Sequence, residues 1–420
     1  MKRILIIYPH WPPSNLVGVH RVRLIANELH HLGWKATVLT VDERDYEEPG
    51  DADGLKLVAP EVNVIKVRAN PVRKLLGKRV IGDIGMRAFS ALKREALKHC
   101  RDEKVDFAWI SMPSWYPALI GRHLHKQGTP FGIDYQDPWV HDLPKQISPF
   151  SRAFLTIQVA KVLEPIAVKN SSIITGINQP YFQGVLNRNS QLKSVSNGSF
   201  QLGFSHRDHE IHVPDLDSPW GSEQRAFIYA GAFLPMSLAL WQRLFTAIGL
   251  LKLEGELDSK IRIYLFGTGQ THHQSLQDMA NDAGIGDVVV EHPERIPFLH
   301  VQELLRRAEG ILSIGSTEIH YSASKTFQCL LSGNKLFSYF HEASEAREIL
   351  QACNADAFHV SFHPNHQADE EILQIKQRLR CFFANQTTDW SPNLEPLEAH
   401  SSRKSAEALI QTIEKALNIS

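Results

Sequence analysis

The chain has 420 residues and carries 45 Lys and Arg against 46 Asp and Glu, a formal net charge of −1. That length exceeds one compact core and predicts two domains. A near-neutral balance excludes a whole-molecule attraction to nucleic acid or membrane, and 43% hydrophobic with 22% charged residues excludes a disordered chain.

In chain order, MKRILIIYPHW opens with an apolar run too short for a signal peptide and predicts a first strand at 3–8. The loop PHWPPSNLVGVHR (9–21) is stiffened by prolines, and Gly18 allows close backbone approach to an acceptor or phosphate as a helix begins. Its thirteen residues exceed the usual β-to-α connection. The helix at 18–33 repeats Val22, Ile25, Ala26 and Leu29 at i, i+3, i+4 and i+7, and Gly33 ends it. Strands follow at 35–41, 63–68, 106–111, 131–135 and 172–177. They read as continuous apolar runs, as parallel strands buried on both faces should. Between them, residues 66–101 hold eleven Lys and Arg against Asp83 and Glu95, a local charge of +9 interleaved with apolar residues. Such a segment fits an anionic membrane surface or a phosphorylated lipid, or else a solvated helix face. In IDYQDPWV (133–140), Asp134 and Asp137 stand at a strand's carboxyl end, where a carboxylate can take a sugar hydroxyl or its proton. Trp139 beside them can pack on a sugar or lipid face; the plain alternative is a capped turn.

A hydrophilic stretch at 199–223 reads as a linker, after which alternation restarts with strands at 226–231, 261–267, 287–291, 310–315 and 335–340. FGTGQ (266–270) offers Gly267 and Gly269 but lacks the third glycine of a dinucleotide fingerprint, since His272 stands there. In SASKTFQCLLSGNKLFSYF (322–340), a helix starting near Ser324 would bring free N–H groups and Lys325 to an anion, with Gln328 one turn in. A helix at 402–418 closes the chain. The four cysteines, Cys100, Cys329, Cys353 and Cys381, form no C-x-x-C pair, and the scattered histidines lack zinc spacing. Both point to a reducing, cytoplasmic compartment and no metal. No run approaches the ~18 apolar residues of a spanning helix.

Taken in order, these features resemble the GT-B glycosyltransferases of family four over nearly the whole chain. The residues that carry the likeness are Pro12-Pro13 with Gly18, Val38-Leu39-Thr40, Ile133-Asp134 through Trp139, Asn197-Gly198, Tyr229-Ala230-Gly231, Leu265 to Gly269, and Ser324 to Gln328 with Ser332-Gly333. The resemblance implies an α/β protein of two Rossmann-like domains facing a cleft. It implies an acceptor-binding domain at 1–200, a donor-binding domain at 201–400, and a helix at 401–420 crossing back onto the first. It implies metal-independent, retaining transfer of a sugar from a nucleoside diphosphate sugar to a glycan or lipid-linked acceptor. The setting would be surface polysaccharide synthesis, at the cytoplasmic face of a membrane reached through 66–101, with no cofactor and no nucleic acid. Donor contacts would come from Gly18, Gly231, Gly267, Gly269, Glu318, Ser324, Lys325, Thr326 and Gln328. Acceptor contacts would come from Asn15, His20, Trp115, Asp134 and Trp139, with Asp137, His141 and Lys325 nearest the chemistry.

Two departures bear on that reading. Gln328 stands where the family usually has a ribose-binding glutamate, and eight residues before it is His320 rather than an acid, with Glu318 two further back. The stretch GAFLPMSLALWQR (231–243) also lacks the family's early Arg and Lys. These departures motivate an alternative, a GT-B binding or partner module without catalysis. The Gly-x-Gly motivates a third reading, a nicotinamide enzyme, against which the missing glycine argues.

Overall fold

Alternating apolar strands and helices build two parallel sheets. The computed structural model describes residues 1–75, 78–141, 148, 151–201, 203–269, 274–318, 325–384 and 390–418, with 73–75 and 78–81 described by backbone alone. The first half holds β1 (Lys2–Ile7), β2 (Trp34–Val41), β3 (Asn63–Val67), β4 (Arg73–Leu75), β5 (Lys78–Ile81), β6 (Phe107–Met112), β7 (Phe131–Tyr135), β8 (Ile173–Gly176) and β9 (Ser196–Ser199). The second holds β10 (Arg225–Ala230), β11 (Ile261–Phe266), β12 (Val289–His292), β13 (Gly310–Ile314), β14 (Lys335–His341) and β15 (Phe358–Phe362). The seven-stranded sheet runs β3-β2-β1-β6-β7-β8-β9 and the six-stranded sheet β12-β11-β10-β13-β14-β15, while β4 and β5 form a separate antiparallel hairpin. Every pairing within the two large sheets is parallel.

The apolar run of β1 shows why such strands read as unbroken. Successive side chains point to opposite faces, so Leu5 and Ile7 enter one core while Ile4 and Ile6 enter another. The chain divides into two units, Met1–Ser205 with His400–Ser420, and His206–Ala399. The helix Ser402–Leu417 therefore belongs to the first unit. Ser401 caps it by accepting a hydrogen bond from Lys404 N–H, and Ala406, Leu409 and Ile413 join the core that holds Ile4 and Ile6. Full burial of a leucine or isoleucine stabilises by roughly 1.5–3 kcal/mol. Lys2 pairs with Glu414 at 2.8 Å at the helix's far end.

The expected strands are present with ends moved by a few residues. Three elements were not expected: the hairpin β4–β5, the edge strand β9 and the edge strand β15. The stretch expected as a linker at 199–223 contains a parallel bridge from Phe204 to Ser401 and a short helix, His206–Glu210. Part of the basic charge at 66–101 has local partners, while the side chains of Arg73, Lys74, Lys78 and Arg79 lie outside the described residues. Lys66 pairs with Glu43 at 2.8 Å and Arg68 with Asp45 at 2.8 Å, and buried Arg87 donates to the carbonyls of Asn70 and Asp45. Among the described residues, no helix is long and apolar enough to cross a membrane.

Candidate functional site

A parallel sheet binds ligands outside the carboxyl ends of its strands, where the strand order reverses. The reversal falls between β1 and β6 in the first unit and between β10 and β13 in the second. Most expected site residues follow one of these strands or a neighbour.

In the first unit, Tyr8 and His10 leave β1 and Gln136 and Asp137 leave β7. Gly18 lies in the helix Val17–Leu29, where a Cβ would overlap the Tyr8 hydroxyl and press on Gln136. The glycine thus lets this helix lie against the strand ends, and the space beside it is filled by protein. Burial raises the Tyr8 hydroxyl far above its ordinary range, and the carboxylates of Asp137 and Glu48 add to the effect. Asp137 is itself raised by burial, with His141 opposing. Asp137 is therefore within electrostatic reach of both His141 and Tyr8. His20 is pushed down to about 3, by burial first and by Arg23 second, so it is neutral. Asn15 is partly exposed in the loop.

Two expected acceptor contacts take a different role. Asp134 is completely buried. It accepts from Arg21 Nε at 2.9 Å and Nη2 at 2.8 Å, from Ser111 Oγ at 2.9 Å and from Thr175 Oγ1 at 2.8 Å. Those four bonds saturate its lone pairs, so it ties one helix and three strands together and presents no free carboxylate. Trp139 is 4% exposed and packs edge-on against Tyr116, a core residue rather than a stacking platform. Trp115 is partly buried, and its indole N–H has no partner among the described residues.

The structure adds a pair that the sequence reading did not single out. His10 Nδ1 meets Glu48 Oε1 at 2.7 Å, and Ser14 Oγ donates to the same oxygen at 2.6 Å. Against the upward push of burial, these two bonds hold Glu48 down to about 2. A carboxylate there holds a proton on the Nδ1 that faces it. No spacing rule links His10 to a glutamate 38 positions away.

In the second unit, Gly231 follows β10. A Cβ there would overlap Lys325 Nζ, so glycine lets the lysine lie across the strand end. Lys325 begins the helix Lys325–Leu331, and its ammonium sits 5.8 Å over the Tyr229 ring. Burial pushes this lysine down to about 8; Cys329 opposes and the Arg295 guanidinium adds. Among the described residues no carboxylate pairs with it. Gly267 and Gly269 both have positive φ, +69° and +77°, which side chains rarely adopt. Their N–H groups donate to the carbonyls of His292 and Pro293, and a Cβ at Gly267 would approach the Arg295 backbone at 4.0 Å. Four strand ends thus bring Gly231, Gly267, Arg295 and Lys325 to one place. Arg295 was missed because it stands in an ordinary loop. Arg243, at the far end of the 231–243 stretch, pairs with buried Glu371 and stacks on Phe362.

Gln328 accepts a hydrogen bond from Gln302 at 3.2 Å and also bonds His209. Its side chain is therefore already engaged within the unit. Thr326 is fully buried, with its hydroxyl unpartnered among the described residues. Glu318 lines a small pocket with Gly315, Ser316, Phe340, His341 and Ser344. Ser324, His272 and His320 lie outside the described residues.

No family model matches the chain, and no curated protein matches it. Solved structures do match along the whole length. A glycosyltransferase from Rickettsia africae ESF-5 is 14% identical with a TM-score of 0.52, over 100% of this chain and 97% of that one. Anabaena Alr3699/HepE in complex with UDP and glucose is 13% identical with a TM-score of 0.53, over 100% and 99%. A putative UDP-N-acetylglucosamine 2-epimerase from Listeria monocytogenes is 11% identical with a TM-score of 0.53, over 100% and 98%. At such identities the likeness is one of fold, and fold alone does not choose among transferases and epimerases. In strand order and helix placement, this chain has the GT-B fold.

Proposed function

We propose that the protein transfers a sugar from a nucleoside diphosphate sugar to a glycan or lipid-linked acceptor. The carrying observation is Lys325. It is a desolvated cation laid across the end of β10, beside Arg295 and without a facing carboxylate among the described residues. Holding two cations near each other without an acid costs stability, and a bound diphosphate would offset that cost. In this role Lys325 and Arg295 neutralise charge developing on the departing diphosphate. Arg295 takes the part for which 231–243 offers no early basic residue. Asp137 and His141 orient the acceptor hydroxyl, and His10 with Glu48 joins them on the same unit. The solved complex with UDP and glucose supports this class of donor. Retention, with the phosphate helping to take the acceptor proton, metal independence and a role in surface polysaccharide synthesis rest on the family resemblance.

The engagement of Gln328 by Gln302 and His209 favours a second reading, a nucleotide-binding partner module without turnover. One experiment separates the readings. Thermal shift with UDP, GDP, CDP and NAD is followed by diphosphate release from the matching sugar nucleotides, with product mass recorded. We expect one nucleoside diphosphate to stabilise the protein and its sugar form to release diphosphate on transfer. Stabilisation without release supports the module, an altered free sugar nucleotide supports an epimerase, and no stabilisation by any diphosphate overturns the proposal.

Gly231→Ala gives a narrower check. The overlap is with the far end of a flexible side chain, so folding stability should change by under ~1 kcal/mol. Displacing Nζ should weaken the stabilising nucleotide by about tenfold in calorimetry, the loss of one charge-assisted hydrogen bond.

A further inference from the structure

The helix Arg152–Val168 packs through Ile157, Ala160, Ala167 and Val168. Its opposite side is also apolar. Leu155 is 54% exposed, Val159 46%, Val162 66% and Ile166 39%. Their spacing of i, i+4, i+7 and i+11 aligns them along one face. Exposed aliphatics elsewhere, such as Leu253 and Leu373, stand singly. A contiguous stripe of this kind marks a surface that meets something apolar.

Charge narrows what that is. Arg152 and Lys169 flank the stripe at its two ends and are exposed, as is Lys161. The one acid of the helix, Glu164, is 1% exposed and paired with Arg188 at 2.9 Å. The neighbouring helix Gly121–Lys126 adds exposed Arg122 and Lys126 and no acid. An apolar stripe framed, among the described residues of these two helices, by exposed cations alone suits a bilayer interface carrying anionic headgroups, where aliphatics enter the acyl boundary and cations meet phosphate. Lys66 and Arg68, by contrast, already face acids of their own unit.

We propose that the helix Arg152–Val168 is the face by which this protein docks on an anionic lipid surface, independently of the sugar-transfer reading. The test is flotation of the full chain with phosphatidylcholine vesicles, with and without one third phosphatidylglycerol. The wild-type chain should float with the anionic vesicles. Val162→Asp should lower the bound fraction at least tenfold without changing Tm, because the side chain is solvent-facing. Arg152→Gln and Lys169→Gln should each lower affinity about fivefold, the effect of one cation near a charged surface. Lys93→Gln with Arg94→Gln should leave binding unchanged. No flotation, flotation indifferent to Val162→Asp, or loss only in the Lys93/Arg94 variant overturns the proposal. So does a lipid-independent oligomer, seen in light scattering, that Val162→Asp dissociates; the stripe would then join copies of this chain.

Discussion

Lys325→Met is expected to make the free protein more stable and its nucleotide affinity much weaker. The ordinary lysine value is 10.5, and in the folded chain burial brings it to about 8. Between those values the unfolded chain binds more protons than the folded one, so wild-type stability rises with pH across the window. Below about 8 the folded protein carries the full cost of a desolvated ammonium. Methionine removes that cost, and the apo protein should gain on the order of 1 kcal/mol at neutral pH. The lost contact with the diphosphate should weaken the stabilising nucleotide by roughly 10- to 100-fold. Wild-type affinity should also fall as pH rises through about 8, while the variant's stays flat. Thermal shift with and without nucleotide, repeated across pH, measures all three. A variant that is less stable when apo and equally responsive to nucleotide would place the anion site elsewhere.

Asp134→Ala should produce the largest loss of stability. It deletes the acceptor of four hydrogen bonds and leaves the Arg21 guanidinium charged at 1% exposure. Breaking one side of a buried pair costs about 3–5 kcal/mol, a large part of the ~5–15 kcal/mol that holds a typical domain folded. Replacing both partners with apolar residues, Arg21→Met with Asp134→Leu, should recover part of the loss, because no orphaned charge remains. Denaturant unfolding measures both. If Asp134→Ala unfolds at the wild-type midpoint yet abolishes transfer, the carboxylate serves the acceptor after all.

The contrast between these two residues shows what a sequence reveals. Strands such as RILIIY and IRIYLFG were legible because burial on both faces leaves an unbroken apolar run. The edge strand β9, SNGS, has no such signature: its ladder is formed by backbone, and its side chains alternate between partial and full exposure. Lys325 and Gly231 were each expected as donor-side residues, but their close approach joins positions ninety-four apart with three strands between them. Asp134 looked like a free acid at a strand end because its partner Arg21 is 113 positions away. The helix Arg152–Val168 escaped notice for the opposite reason. Both its faces are apolar, so periodicity shows no contrast between the side that packs and the side that does not.

The placement of the helix Ser402–Leu417 in the first unit has a consequence for synthesis. A chain emerging from the ribosome presents residues 1–205 first, yet the core around Ile4 and Ile6 stays uncovered until Leu409 and Ile413 appear. The segment His206–Ala399 is complete before then. The part made first is thus the part finished last, and for most of translation it displays an open apolar surface of the kind that recruits chaperones.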